Sequence, residues 1–119
     1  MLVTESVAIP RPLPEALVEL IAQRFRVLGE PMRIRLLDAL RDGPMTVNEL
    51  TEALGTTQQN VSKHIGVLAQ AGIVGREKDG NRVRCSIADP TIFELCALVC
   101  GGLRQRVGEL DRLLPGRAA

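Results

Sequence analysis

The sequence predicts a mainly α (α+β) fold with the element order α-α-α-α-β-β-α, and three observations support this fold class. Apolar residues recur at three- and four-residue spacing over most of the chain. Two helix-capping patterns follow each other closely, beginning at Thr46 and at Thr56. Beyond them the apolar period changes to two around an Asp79-Gly80 pair, which is typical of a β-hairpin.

Length and composition indicate one folded domain. The chain has 119 residues, of which 45% are hydrophobic and 24% are charged, an ordinary globular balance. We expect a flexible arm over residues 1–12, the folded domain over 13–114 and a frayed tail over 115–119. No apolar run approaches the roughly 20 residues of a bilayer span, so we expect no membrane partner. Three cysteines without a secretion signal favour the reducing cytoplasm.

Missing residue types argue against two classes of function. His64 is the only histidine, and no nucleophile motif accompanies it, so we do not expect an enzyme. Tyr and Trp are absent, which leaves only Phe25 and Phe93 for stacking on bases. RNA recognition by aromatic stacking is therefore disfavoured.

The first two helices are predicted from their proline starts and glycine ends. Pro14 suits the first turn of a helix whose apolar stripe runs to Gly29. Pro31 begins a second helix, which the sequence Asp42-Gly43-Pro44 stops.

The next two helices are short, and each begins with a predicted capping box. In the first box, Thr46 and Glu49 satisfy each other's free N–H groups, and Gly55 ends the helix in a left-handed conformation. In the second, Thr56 and Gln59 play the same parts, and the helix ends at Ala71-Gly72. Two capped helices joined by a tight glycine turn are the helix-turn-helix pattern.

The hairpin and the last helix complete the plan. In the return strand, apolar residues alternate with Arg82, Arg84 and Ser86, so one face of the hairpin is basic. Pro90 then begins a long helix with a broad apolar stripe reaching Leu114. A helix-turn-helix followed by a basic hairpin is a winged helix-turn-helix.

The chain resembles the ArsR/SmtB family of bacterial metalloregulators over about residues 17–100. The resemblance rests on these segments: Leu28-Gly-Glu-Pro-Met-Arg33, Leu36-Leu37, Glu49-Leu50, Leu54-Gly55, Val61-Ser-Lys-His-Ile65, Leu68-Ala-Gln-Ala-Gly-Ile-Val74, Gly80-Asn-Arg-Val-Arg84 and Ile87-Ala-Asp89. It implies a DNA-binding transcriptional regulator, most simply a repressor that releases its operator when an effector binds.

Double-stranded DNA is the partner that the residues themselves favour. An α-helix fits the major groove, where short polar side chains read base edges, and arginines on a wing can follow the backbone or enter a minor groove. The predicted DNA-binding residues are Thr57, Gln58, Gln59, Ser62, Lys63, His64, Arg82, Arg84 and Arg33. For His64 the resemblance leaves open a position facing DNA or one at the packing edge of the helix.

A homodimer is expected because the first and last helices carry more apolar surface than a small core can cover. In the family these two helices form the dimer. Two recognition helices would then meet successive major grooves about 34 Å apart and read an inverted repeat. The alternatives are an activator, a heterodimer with a related regulator, and a winged-helix interaction module that does not bind DNA.

The sequence does not identify the effector. The resemblance implies a sensor site, such as one for nickel or zinc. The family site in the helix-turn-helix uses cysteines, and Thr46–Leu54 has none. The family site on the last helix begins with Asp-x-His, and here Thr91 follows two residues after Asp89. Its later ligands are replaced by Gly102 and Gln105.

The sensor candidates that remain are thiols, namely Cys96, Cys100 and Cys85. Spacing of four places Cys96 and Cys100 on one face of the last helix. They are buried packing residues, a thiol switch, or part of a soft-metal site completed by Cys85 or Glu94. A divalent ion held by arm carboxylates such as Glu5 is a further alternative.

Overall fold

A computed structural model describes residues 8–106 and 108 of the chain. The expectations for residues 1–7 of the arm, including Glu5, for the part of the last helix and its apolar stripe at residues 107 and 109–114, and for the tail 115–119 lie outside the described residues. Residues 8–12 carry no helix or strand. Within the part of the chain that the structure describes, no helix is both long enough and apolar enough to span a lipid bilayer.

The chain forms five α-helices, one 3₁₀ turn and one small sheet within the described residues. The helices are α1 (Glu15–Leu28), α2 (Pro31–Ala39), α3 (Val47–Leu54), α4 (Gln58–Gln70) and α5 (Thr91–Arg106), with the 3₁₀ turn at Leu40–Asp42. The strands are β1 (Met45–Thr46), β2 (Val74–Asp79) and β3 (Arg82–Ile87). The mainly α (α+β) winged helix-turn-helix fold is therefore confirmed, with one additional strand.

The predicted start and end of α3 are both confirmed. The Thr46 hydroxyl accepts a hydrogen bond from the Glu49 backbone N–H at 3.1 Å, and the Glu49 carboxylate accepts one from the Thr46 N–H at 2.9 Å. At the other end, Gly55 adopts φ +61°, a left-handed conformation that few other residues adopt without strain. This glycine turns the chain directly into α4.

The second capping box was wrong by one residue. The N-cap of α4 is Thr57, whose hydroxyl accepts a hydrogen bond from the Asn60 N–H at 3.0 Å. The Thr56 hydroxyl instead accepts from the Asn60 side-chain amide, also at 3.0 Å. Because Thr57 caps the helix, Gln59 does not occupy the capping position and lies exposed on the first turn.

The sheet has the antiparallel strand order β1-β3-β2. β2 and β3 form the predicted hairpin, with Asp79 opposite Arg82 and a two-residue turn at Gly80–Asn81, where Gly80 has φ +69°. β1 was not predicted, since it has only two residues. It pairs Met45 with Cys85 on β3 and so joins the wing to the start of α3.

The core lies among α2, α3, α4 and the base of the wing. Full burial of each large apolar side chain there stabilises the fold by about 1.5–3 kcal/mol. The largest fully buried side chains are Leu36, Leu37, Leu40, Leu50, Val61, Ile65, Leu68, Ile73 and Cys85. None of the residues of α1, all of which the structure describes, is buried, and α5 buries only Ile92 among Thr91–Arg106.

The apolar stripes of α1 and α5 thus remain open in a single chain. Among the described residues, the large apolar side chains left exposed on these two helices are Val18, Leu20, Ile21, Phe25, Leu98, Val99 and Leu103. Leu98 is 71% exposed and Leu20 is 63% exposed. Apolar surface on this scale is typical of an interface with another chain.

Candidate nucleic-acid interface

The N-terminal half of α4 presents a polar ridge to solvent. Its exposed members are Thr57, Gln58, Gln59, Ser62 and Lys63, which are five of the predicted DNA-binding residues. The opposite face of the helix is fully buried in the core. The helix therefore offers short polar and amide side chains, one ammonium group and the positive end of its dipole along a single exposed edge.

Gln58 has a partner that the sequence did not reveal. Its Nε2 donates a hydrogen bond to Asn48 Oδ1 at 2.7 Å, which joins the first turns of α3 and α4. Both side chains are exposed. Asn48 is therefore an additional polar group at this interface, and only the close approach of α3 to α4 brings it there.

A shallow crevice of about 110 Å³ lies where α3, α4 and the wing meet. It is lined by Thr46, Val47, Asn48, Gln58, Ser62, Asn81, Arg82 and Val83. Residues predicted separately on the recognition helix and on the wing are thus brought to one place. The arrangement combines amide groups, hydroxyls and a guanidinium, which together suit base edges and phosphates.

The two wing arginines differ in their surroundings. Arg82 lies exposed beside the hairpin turn. Arg84 donates from Nη2 to the Asp79 carboxylate at 3.0 Å, and their side chains are 43% and 59% exposed. The Asp79 carboxylate therefore competes with any phosphate for Arg84.

His64 is buried and Arg33 is partly buried, so neither side chain lies on the exposed polar ridge of α4, and their contact with DNA stays a prediction. His64 is only 6% exposed, and its Nδ1 accepts a hydrogen bond from Arg33 Nε at 3.1 Å. Arg33 also donates from Nη1 to the Val27 carbonyl at 3.0 Å. Of the two positions left open for His64, the structure supports the packing position.

Burial disfavours the protonated form of His64. It lowers the pKa of His64 from its ordinary value of 6.5, while the nearby Glu30 carboxylate partly opposes that shift. The charges of Lys63 and Arg33 lower the pKa further. A neutral ring is consistent with its role as a hydrogen-bond acceptor for Arg33.

The three thiols differ in exposure. Cys85 is fully buried, and burial raises the pKa of its thiol, with Arg76 partly opposing the shift. Cys96 is half-buried and Cys100 is exposed, both on α5. In residues 8–106 and 108, no three His, Cys, Asp or Glu side chains cluster so as to hold a metal ion. A complete metal site is thus not formed by the described residues of one chain.

Known proteins share this architecture. A family model described as a helix-turn-helix domain matches residues 28–76. The uncharacterized HTH-type transcriptional regulator Rv0081 of Mycobacterium tuberculosis is 38% identical over 110 residues, covering 88% of this chain and 96% of that protein. Its crystal structure matches with a TM-score of 0.72 and 37% identity, over 85% of this chain and 100% of that one.

Two further relatives place the chain more finely. The transcriptional repressor SmtB of M. tuberculosis is 35% identical over 80 residues, 67% of this chain and 59% of that protein. The Mycobacterium bovis fragment Mb0332 is described as a homodimeric winged helix-turn-helix DNA-binding domain of a possible ArsR-family regulator. It matches with a TM-score of 0.70 and 25% identity, over 85% of this chain and 94% of that one. This chain belongs to the ArsR/SmtB family of winged helix-turn-helix transcriptional regulators.

Proposed function

We propose that this regulator acts as a homodimer that reads an inverted repeat in double-stranded DNA. Each subunit inserts α4 into a major groove and lays its wing along the neighbouring backbone. The observation that supports this most strongly is the crevice at which the polar ridge of α4 meets Arg82. Base-reading and phosphate-binding groups are within reach of one duplex there.

The side chains of the ridge divide by chemistry. Gln58 and Gln59 carry amides that can pair bidentately with adenine in the major groove. Thr57, Ser62 and Lys63 suit phosphates near the N-terminus of α4. On the wing, Arg82 meets the backbone or a minor groove, and Arg84 contributes only when a phosphate displaces Asp79.

The dimer is proposed to form through the open apolar faces of α1 and α5. These faces have no covering partner among the described residues of one chain. The homodimeric state of the Mb0332 fragment, which has the same fold, supports this arrangement. A twofold axis there sets the separation of the two α4 helices, which for adjacent major grooves is about 34 Å.

Two substitutions test the DNA contacts. The probe is a duplex selected by the wild-type protein from a random-sequence library, with an unselected duplex as the non-specific reference. Gln59→Ala is expected to weaken selective binding about tenfold, the low end for one bidentate base contact, and to leave non-specific binding nearly unchanged. Arg82→Ala is expected to weaken both and to reduce the salt slope by about one.

Arg35→Ala is the control, because it removes one charge from an exposed position on α2. If Gln59→Ala and Arg82→Ala both titrate like the control, the assignment of contacts is wrong. A wild-type protein whose binding to both duplexes is absent or insensitive to salt would instead indicate the interaction module.

The regulator is further proposed to be a repressor, the role that the name of SmtB gives for that relative. An effector is proposed to release it from DNA. Of the three thiols, Cys100 and Cys96 are the sensor candidates that exposure favours, because a buried thiol such as Cys85 is usually inert. They act by oxidation or by binding a soft or transition-metal ion, and a metal would need further ligands beyond these two.

This sensor proposal has a direct test. Duplex affinity is measured with reductant, with oxidant, and with nickel, zinc, cobalt, copper or arsenite. The wild type is compared with Cys96→Ser and Cys100→Ser. At least one condition should weaken binding of the wild type and not of a variant. Unchanged affinity under every condition would eliminate both thiols as sensors.

A further inference from the structure

Two arginine side chains connect α1 to the recognition helix α4. Arg24 on α1 donates from Nη1 to the carbonyl of Ala71, the C-cap of α4, at 3.4 Å. Arg33 on α2 donates to the Val27 carbonyl on α1 and to His64 on α4, at 3.0 and 3.1 Å. One bridge therefore reaches the end of α4, and the other reaches its buried middle.

Helix ends make these contacts favourable. The Val27 carbonyl is near the C-terminus of α1, and the Ala71 carbonyl is at the C-terminus of α4, where backbone oxygens lack partners within the helix. A cation is stabilised there by the negative end of the helix dipole. The guanidinium of Arg33 is planar and directs its donors along fixed lines, so it holds its two acceptors in one relative position.

The rest of the attachment of α1 is slight. No residue of Glu15–Leu28 is buried in the described chain, and only Val27 and Leu28 of this helix pack against the core cluster as partly buried side chains. Few core contacts therefore hold α1 in the single chain, and its apolar face is free to pack against another chain. In the proposed homodimer that chain is the partner subunit.

We propose that Arg24 and Arg33 are positioning residues that transmit the placement of α1 at the dimer interface to the recognition helix, with His64 as the acceptor on α4. The recognition helix keeps its orientation for reading DNA only while both bridges are intact. This inference rests on the proposed function, because it concerns how the dimer controls the DNA-reading helix.

The chemistry of His64 makes the central bridge sensitive to acid. The charged groups that face the ring are Arg33 and Glu30 from the α2 region and Lys63 from α4 itself. A proton on Nδ1 removes the lone pair that accepts the Arg33 hydrogen bond and places two cations side by side. Selective DNA binding should therefore weaken as His64 becomes protonated.

The first test exchanges arginine for lysine, which conserves charge and removes the fixed fork. Arg33→Lys is compared with Arg35→Lys, a matched change at an exposed position of the same helix. Arg24→Lys is compared in the same way with Arg26→Lys on α1. We expect Arg33→Lys and Arg24→Lys each to weaken selective duplex binding by about 5–10-fold, at the low end of typical coupling between sites. Non-specific binding should stay at the level of the controls.

The second test uses pH. His64→Asn keeps an acceptor near the position of Nδ1 and does not titrate. Between pH 7.5 and pH 5.5, the wild type should lose selective affinity more steeply than His64→Asn. Arg33→Lys, which lacks the arginine donor to His64, should show the shallower pH dependence of His64→Asn. Protonation of His64 also lowers the stability of the fold, so thermal unfolding of every variant is recorded at each pH. Affinities are compared only at pH values where every variant is fully folded, because a purely structural role would change unfolding but not the affinity of the folded protein.

The outcomes separate the two proposals. If the wild type selects no duplex, the proposed function is overturned, and this inference falls with it. If the wild type binds selectively but Arg33→Lys and Arg24→Lys match their controls, this inference alone is overturned. The same holds if wild type and His64→Asn show one pH profile.

Discussion

Replacing Phe25 gives the most direct test of the proposed dimer. It lies on α1 and is 53% exposed in the single chain. A phenylalanine offers about 200 Å² of surface, so about 100 Å² remains for a partner to cover. At about 25 cal/mol per Å², covering it contributes about 2.5 kcal/mol per subunit, or about 5 kcal/mol in a symmetric dimer.

We expect Phe25→Ala to remove about half of that contribution to dimer stability, because the truncated interface relaxes. A loss of about 2.5 kcal/mol raises the dimer dissociation constant about 70-fold. Sedimentation equilibrium over a range of protein concentrations measures that constant. Ile34→Ala is the control, since Ile34 is 48% exposed but lies on α2. A Phe25→Ala protein that dissociates at the same concentration as the wild type and the control would refute the assignment of α1 to the interface.

Three further predictions concern stability and charge. Thr46→Ala removes the N-cap hydroxyl of α3 and should lower the free energy of unfolding by about 1–2 kcal/mol in a urea titration, whereas Thr46→Ser should not. An unchanged urea midpoint for Thr46→Ala would contradict this prediction. Because the pKa of His64 is lowered on folding, the unfolded chain binds more protons, so stability should fall as the pH drops below about 6.5. His64→Asn should lessen that fall. If stability falls equally with pH in the wild type and in His64→Asn, the prediction is wrong. Asp79→Asn removes the carboxylate that pairs with Arg84 and should steepen the salt dependence of DNA binding. Asp38→Asn, which removes the exposed partner of Arg41, is the control, and equal slopes for the two variants would contradict the prediction.

Much of the helix-turn-helix could be predicted because its signals are local. The capping box at Thr46 and the left-handed glycine at Gly55 each depend on a few neighbouring residues. The cap of α4 was misplaced by one residue because Thr56 and Thr57 offer the same hydroxyl. The choice between them depends on both N–H donors of Asn60, which no capping pattern takes into account.

Contacts between elements were the part that local patterns could not supply. The strand β1 exists only because β3 lies beside it, and the Asn48–Gln58 hydrogen bond exists only because α3 meets α4. The burial of His64 did leave a signal in the sequence. It follows Val61 by three residues and precedes Leu68 by four, which places it on the apolar face of the helix.

The short strand β1 has a mechanical consequence for the wing. Thr46 pairs with Arg84 of the hairpin and is also the residue that caps α3, so the arginine-bearing ribbon and the first helix of the motif share one anchor. The ribbon cannot swing without disturbing that helix. The distance between the helix-turn-helix and the wing is therefore fixed by a shared residue and does not depend on the hairpin alone.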